Sequence, residues 1–326
     1  NPVPGFLTPI TATQEPSATT GSVTLAMLRR WLAEPQVDAV HLDSLGSQWP
    51  NWVNYRREHF AYARYPLTFD QQGRVGLHNR VSHYEFVEDA RALALQHGKL
   101  LFGNGIDTYV TRNRTEHYNG VNHGRFFLAA LLDMAGREIT DDTLTRPRLE
   151  AYRVMLGPKL MTAILYKWKD EPTVRRQMNR GLVFNIFTSP NRFFEDKISY
   201  LAAPDGFARD RELLTWFSRH ARVLHEARWQ PVTHARVDQP VVACERYGTG
   251  DVVYFALVNL GTEAVDCTLQ VNMAALGLAP GDGISSTYSE VARGAPILVQ
   301  TEGDTGRVRL RLAPDEAHIV KLVRTW

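Results

Sequence analysis

Residues 37–60 read Val-Asp-Ala-Val-His-Leu-Asp-Ser-Leu-Gly-Ser-Gln-Trp-Pro-Asn-Trp-Val-Asn-Tyr-Arg-Arg-Glu-His-Phe, and the fold is decided here. Val37, Ala39, Val40 and Leu42 form a short apolar run with a β-branched bias, the pattern of a buried strand in a parallel sheet. The run stops at Asp43. An acid at such a strand end, followed by Ser44, Gly46, Pro50 and two tryptophans, is expected where a (β/α)8 barrel carries its reacting side chains.

Trp49, Trp52, Tyr55, Arg56 and Arg57 crowd the adjoining loop. Aromatics gathered on a loop are awkward in water unless they stack on a ligand such as a sugar face; the alternative is ordinary packing beneath a long loop. Asp43 itself would serve equally as a helix N-cap. His41, inside the strand, reads as a core histidine with its hydrogen bonds satisfied.

Working outward, the chain alternates. Asn1 to Thr20 is an irregular lead-in rich in Pro, Thr and Ser. Ser22 or Thr24 can cap a helix whose apolar positions are Leu25, Leu28, Trp31 and Leu32, broken at Pro35. After the Trp-rich loop, Pro66 to Asp70 reads as extended and Gln71 to Asn79 as a turn. A second helix is expected from Ser82, packing through Tyr84, Phe86, Val87, Ala90, Leu93 and Ala94, with His97-Gly98 as its stop. Lys99 to Gly105 is the next strand. Arg125 to Asp133 reads as a third, ending on an acid, with Gly136 and Glu138 just beyond. Arg148 to Leu156 is helical; Lys159 to Tyr166 is a strand with Lys167-Trp168-Lys169-Asp170 at its end; Pro172 opens a helix; Leu182 to Phe187 is the fifth strand; Arg211 to Trp229 is a long amphipathic helix. This alternation predicts parallel strands with crossover helices.

From Val241 the pattern changes to short alternating runs separated by turns. Val241–Arg246, Val252–Val258, Ala264–Val271, Pro296–Gln300, Val308–Leu312 and His318–Val323 are the strands of an expected antiparallel β-sandwich. The fold class is therefore α/β, a (β/α)8-barrel portion followed by a sandwich. The expected divisions are a lead-in at 1–21, a catalytic barrel portion at 22–238 and the sandwich at 239–326.

Composition narrows the function. With 326 residues, 44% of them hydrophobic and 22% charged, the chain is globular in character. The net charge of +2 and the dispersal of the 37 basic residues give no nucleic-acid footprint. Cys244 and Cys267 are too few for a disulfide scaffold, and buried free thiols are expected. No apolar run reaches the roughly 18 residues of a membrane-spanning helix. The sequence starts at Asn1 without a leader, so a removed or omitted upstream piece and a secreted or periplasmic location are expected; Asn113-Arg114-Thr115 fits a glycosylation sequon.

Val-His-Leu-Asp-Ser at Val40 to Ser44, Gly-Lys-Leu-Leu-Phe-Gly-Asn-Gly at Gly98 to Gly105, Leu-Leu-Asp at Leu131 to Asp133 and the sandwich tail together resemble one architecture. It is that of the retaining glycoside hydrolases with a (β/α)8 barrel and a β-sandwich, broadly the α-galactosidase and endo-α-N-acetylgalactosaminidase kind. The resemblance implies a nucleophilic aspartate ending the fourth barrel strand and an acid/base ending the sixth. Asp43 then ends strand four, and the later runs are strands five to eight. Strands one to three have no counterpart, which implies a second chain or an upstream segment that supplies them.

Retaining glycoside hydrolysis needs one carboxylate to attack the anomeric carbon and a second carboxyl to protonate the leaving oxygen. Asp43 is the expected nucleophile and Asp133 the acid/base, with Glu138 and Asp107 as substitutes. An acid beside an apolar run can be kept protonated, as a proton donor requires. Both positions would also suit simple strand-end caps. Asn104, flanked by glycines that let backbone approach a ligand, is placed to bond sugar hydroxyls, and Trp168 offers a second stacking surface. Arg56 and Arg57 can hold substrate by bidentate hydrogen bonds or belong to a solvated helix face. The spacing of His78, His83, His117 and His123 matches no metal-ligand motif, and no nucleotide fingerprint occurs, so no cofactor is expected. The expected activity is a glycosidase acting on an oligo- or polysaccharide. A non-catalytic carbohydrate-binding or assembly protein, and a polysaccharide lyase, are the alternatives.

Overall fold

The computed structural model describes residues 17, 19–43, 45, 53–104, 129–139, 144–166, 171–191, 204–278, 285–289, 296–297 and 299–324. It is mixed α/β, and the chain divides into two compact units, Asn1–Gly136 and Arg137–Trp326.

The first unit opens with α1 (Thr19–Leu32). Ser22 and Thr24 do not cap it; their hydroxyls donate back to the carbonyls of Thr19 and Thr20, at 3.0 and 2.8 Å, as such side chains do inside a helix. Leu28 and Leu32 are buried, whereas Trp31, expected on the same face, is 62% exposed. Strand β1 (Ala39–Leu42) comes next and pairs in parallel with β5 (Leu100–Asn104), Leu42 opposite Gly103. His41 is exposed rather than a core residue.

Between them lies an inserted antiparallel sheet in the order β2-β4-β3, made of Val53–Asn54, Val75–His78 and Thr68–Phe69, with a 3-10 helix at Arg57–Tyr62. The expected turn at 71–79 thus contains a strand. Gly76 permits this pairing, since a Cβ there would lie 2.2 Å from Val53 Cγ1 and 2.9 Å from the Asn54 carbonyl oxygen. Helix α2 (Asn79–Gln96) buries Phe86, Val87, Ala90, Leu93 and Ala94 as the spacing predicts. It stops at Gly98, whose φ of 64° is a left-handed turn in which the His97 and Lys99 amides both donate to Ala94.

The third strand is displaced from its expected place. Residues 129–131 are helical, and β6 runs Met134–Ile139, in register with β5 through Asn104 opposite Gly136. The seven-residue apolar run Phe126–Leu132 is compatible with either element, and residues 129–131 of it are helix.

In the second unit α3 (Arg146–Leu156), β7 (Leu160–Tyr166), α4 (Glu171–Val183), β8 (Ile186–Asn191) and α5 (Pro204–Ala227) continue the alternation. Leu182 belongs to α4 and not to the expected fifth strand. Among the described residues the parallel sheet has five strands, in the order β1-β5-β6-β7-β8. Buried Arg153 ties α3 to the turn after it and to the end of α4 by donating to the carbonyls of Gly157, Lys159 (3.0 Å) and Phe184 (2.8 Å), with its guanidinium 5.0 Å from the Trp229 ring.

Within the second unit antiparallel pairing begins at β9 (Trp229–Gln230) and β10 (Ala235–Val237), ahead of the expected boundary at Asp238. The remaining strands are β11 (Val242–Tyr247), β12 (Val252–Asn259), β13 (Val265–Asn272), β14 (Ser285–Ser289), β15 (Pro296–Ile297), β16 (Gln300–Glu302), β17 (Thr305–Leu312) and β18 (Ala317–Val323). They form a six-stranded sheet, β15-β14-β18-β12-β11-β9, and a four-stranded one, β10-β13-β17-β16. Phe255, Leu257, Val320 and Leu322 from the first and Leu269, Val271, Val308 and Leu312 from the second share one core. The alternating buried and exposed residues of β17 show why a period of two encodes this layer. Both thiols are free, and burial pushes Cys267 up to about 11. Among the described residues no helix is long and apolar enough to cross a membrane.

Candidate active site

Asp43 sits directly after the last residue of β1 and is exposed. Two features hold it there. The amide of Leu45 donates to the carbonyl of Asn104 at 3.0 Å, tying the start of the loop to the C-terminal end of β5. Leu45 is buried over Gly103, where a Cβ would come within 2.5 Å of Leu45 Cδ1 and 3.0 Å of Leu132 Cδ1. Glycine at 103 is therefore what lets the Leu45 side chain lie against β5. Neither residue stands out in the sequence, although the Gly-Asn-Gly run is visible there.

The last paired row of β1 is Leu42, Gly103 and Ala135; Asp43 follows it in the chain, as Asn104 and Gly136 follow it in β5 and β6. Asn104 is 4% exposed and Asp43 is exposed, and each lies at the C-terminal end of its strand.

Asp133 does not join them. It precedes β6 instead of ending a strand, level with Leu101. Its amide donates to the Leu101 carbonyl at 2.9 Å, its carboxylate accepts the Leu101 N–H at 2.8 Å, and Arg91 of α2 pairs with the same carboxylate. Three rows of about 3.3 Å and two strand spacings of about 4.8 Å put its backbone roughly 14 Å from that of Asp43. A retaining pair needs carboxyls about 5–5.5 Å apart and an inverting pair about 6.5–9.5 Å. With its carboxylate occupied at the opposite end of the strands, Asp133 is a structural brace.

Of the substitutes, Glu138 lies in β6, with its side chain outside the described residues. Asp107 comes three positions after Asn104 and also lies outside them, as do Trp49, Trp52 and Trp168. Arg56 and Arg57 are exposed at the start of the 3-10 helix, where the Arg56 amide donates to Asn54 Oδ1 at 3.0 Å.

The insert that carries them is braced on α2. Buried Glu85 accepts the amides of Arg64 and Tyr65, both at 3.0 Å, while the Arg64 guanidinium reaches Asp89 at 2.6 Å and the Tyr65 hydroxyl donates to Glu88 at 2.8 Å. At its far end the Tyr55 hydroxyl (2.7 Å), the Arg74 guanidinium (2.8 Å) and two amides converge on Asp70, holding its carboxyl down to about 2. His83, buried in α2, is pushed down to about 4 by desolvation.

Comparison with known proteins adds the fold-level finding. No family model matches the chain, and no curated protein matches it. Among solved structures it is similar to a maltogenic α-amylase from Thermotoga neapolitana, at 13% identity over 93% of this chain and 66% of that one, with a TM-score of 0.52. An α-amylase from Anoxybacillus gives 12%, 97%, 65% and 0.51, and a rhamnosidase from Novosphingobium sp. gives 10%, 77%, 41% and 0.51. At 10–13% identity the likeness is one of fold: mixed α/β, with a parallel sheet followed by antiparallel sheets. The chain spans about two thirds or less of the length of these structures.

Proposed function

We propose that the protein is a glycosidase that cleaves O-glycosidic bonds of an oligo- or polysaccharide by a retaining, two-carboxylate mechanism, with Asp43 as nucleophile. The observation that carries this reading is Asp43 directly after the C-terminal end of a parallel strand, two residues before the Leu45 amide that bonds Asn104, at the end where barrels of the resembled kind do chemistry. Asp43 attacks the anomeric carbon as the glycosidic C–O bond breaks, forming a glycosyl ester. A carboxylic acid protonates the departing oxygen and then, as carboxylate, takes a proton from the water that hydrolyses the ester.

With Asp133 committed to Arg91 and Leu101, the acid/base is assigned to the sequence that follows Asn104, where Asp107 is the first carboxyl. Asn104 bonds a sugar hydroxyl, Arg56 or Arg57 holds a second one, and Trp49, Trp52 and Trp168 supply stacking faces.

The test is release of sugar from a panel of α- and β-aryl glycosides by the full-length protein and by Asp43→Asn, Asp107→Asn and Glu138→Gln. Abolished release in Asp43→Asn, with a fall of about 10²–10⁴-fold in Asp107→Asn, supports the assignment. The mechanism fails if Asp43→Asn cleaves as the wild type does. If Glu138→Gln alone shows the loss, Glu138 replaces Asp107 as proton donor. Saturable oligosaccharide binding without turnover in wild type would favour the carbohydrate-binding alternative.

A further inference from the structure

The two sheets of the sandwich differ in what their outer faces carry. On the six-stranded sheet Tyr247 of β11 is buried, and its hydroxyl donates to the carbonyl of Val183, the last residue of α4, at 2.7 Å. The four-stranded sheet turns arginines outward. In β17 the buried Val308, Leu310 and Leu312 alternate with the exposed Arg307, Arg309 and Arg311. Register sets Arg236 of β10, Gln270 of β13, Arg307 of β17 and Gln300 of β16 in one row across all four strands. Thr268 opposite Arg309 and Asp266 opposite Arg311 form the next two rows. At about 3.4 Å per residue the three β17 positions are about 7 Å apart, and Arg236 lies about 10 Å from Arg307 across two strand spacings.

The carboxylates on these four strands are already in use. Arg311 pairs with Asp266 at 3.1 Å and Arg307 with Glu302 at 2.8 Å, while Nε–H of Arg236 donates to Gln270 Oε1 at 2.9 Å. Arg309, between them, is exposed and has no ion-pair or hydrogen-bond partner among the described residues. Beside it runs a groove of about 420 Å³, lined by Asp266 to Thr268 of β13 and Arg309 to Arg311 of β17. A line of fixed cations suits a polymer whose negative charges repeat. Guanidinium holds a carboxylate through two parallel N–H···O bonds, which an ammonium cannot do. Gln270, Gln300 and Thr268 stand among the arginines, and each can bond a hydroxyl. The three rows contain no aromatic side chain on which a nucleic-acid base would stack.

We infer that the outer face of the four-stranded sheet, centred on Arg309, binds an acidic polysaccharide, a chain of uronate sugars. Its carboxylates are held by Arg309 and the neighbouring arginines, and its hydroxyls bond Gln270, Gln300 and Thr268. The negative charge of the ligand follows from this face alone, whereas its being a polysaccharide rests on the glycosidase reading. The substrate of that reaction, or a chain joined to it, is then anionic.

Binding is measured by calorimetric titration of the Asp43→Asn protein with polygalacturonate, so that turnover does not consume the probe. Dextran, dextran sulfate and duplex DNA are the comparison polymers. Polygalacturonate is expected to bind saturably, about 10-fold more weakly when Arg309→Ala is added, and more weakly as NaCl rises from about 50 to about 200 mM. Arg309→Lys keeps the charge and should still weaken binding, because the paired hydrogen bonds are lost. Arg222→Ala removes the same charge from a side chain 80% exposed on α5 and should bind as the parent does. Absence of binding, unchanged affinity in Arg309→Ala, or an equal loss in Arg222→Ala overturns the inference. Binding of dextran, dextran sulfate or DNA as tight as that of polygalacturonate overturns it as well. The glycosidase reading fails on sugar release and this one on affinity, so each failure is seen by itself.

Discussion

Replacing Asp133 separates a brace from a proton donor. Its carboxylate accepts the amide of Leu101, a residue with no exposed surface, and pairs with Arg91; the two charged side chains are 23% and 26% exposed. A hydrogen bond to a charged group contributes about 1.5–3 kcal/mol, and an amide left without an acceptor costs about 1–3 kcal/mol. Asp133→Ala removes both interactions and is expected to lower stability by about 2–4 kcal/mol. Asp133→Asn keeps an acceptor for the Leu101 amide but loses the charge, for about 1–2 kcal/mol. With a urea m-value of about 2–3 kcal/mol/M, the alanine variant shifts the unfolding midpoint by roughly 1 M. Glycoside release per folded molecule should stay within about twofold of wild type in both variants. The reasoning is refuted if Asp133→Asn unfolds where wild type does while release falls about 10²–10⁴-fold, the signature of a lost general acid.

Burial holds the folded pKa of His83 near 4 against 6.5 for the free side chain, so the unfolded chain protonates first as pH falls. Stability should be full above about pH 6.5 and decline towards pH 4 by up to roughly 3 kcal/mol; in His83→Gln urea titrations across that window this slope should disappear. Gly103→Val should displace Leu45 and Leu132 and cost about 1–3 kcal/mol, and any activity at Asp43 should drop with it because the loop loses its seat; unchanged kinetics would refute that positioning role. Arg153→Ala leaves the carbonyls of Phe184, Lys159 and Gly157 without their buried donor and is expected to cost about 3–5 kcal/mol in the same unfolding assay.

The sequence by itself determined what depends on local period and on chain chemistry. Strand and helix alternate because apolar residues recur at the spacing of each element, α2 ends where Gly98 alone tolerates a left-handed turn, and β17 alternates because one face is buried. A change from helix-and-strand alternation to antiparallel pattern was legible too, though read from Val241 where the structure begins it at Trp229, as was the placing of Asp43 at a strand end. What surrounds each element was decided only by the tertiary structure. The run ending at Asp133 has no period that separates helix from strand, so whether the acid precedes or ends a strand depended on β5, whose Leu101 takes both of its hydrogen bonds. Trp31 has the same spacing signal as Leu28, yet one is exposed and the other buried, because periodicity records apolar faces and not which neighbours cover them. Gly103 became informative only when Leu45 was found lying across it, a contact between residues distant in sequence that no local window can encode.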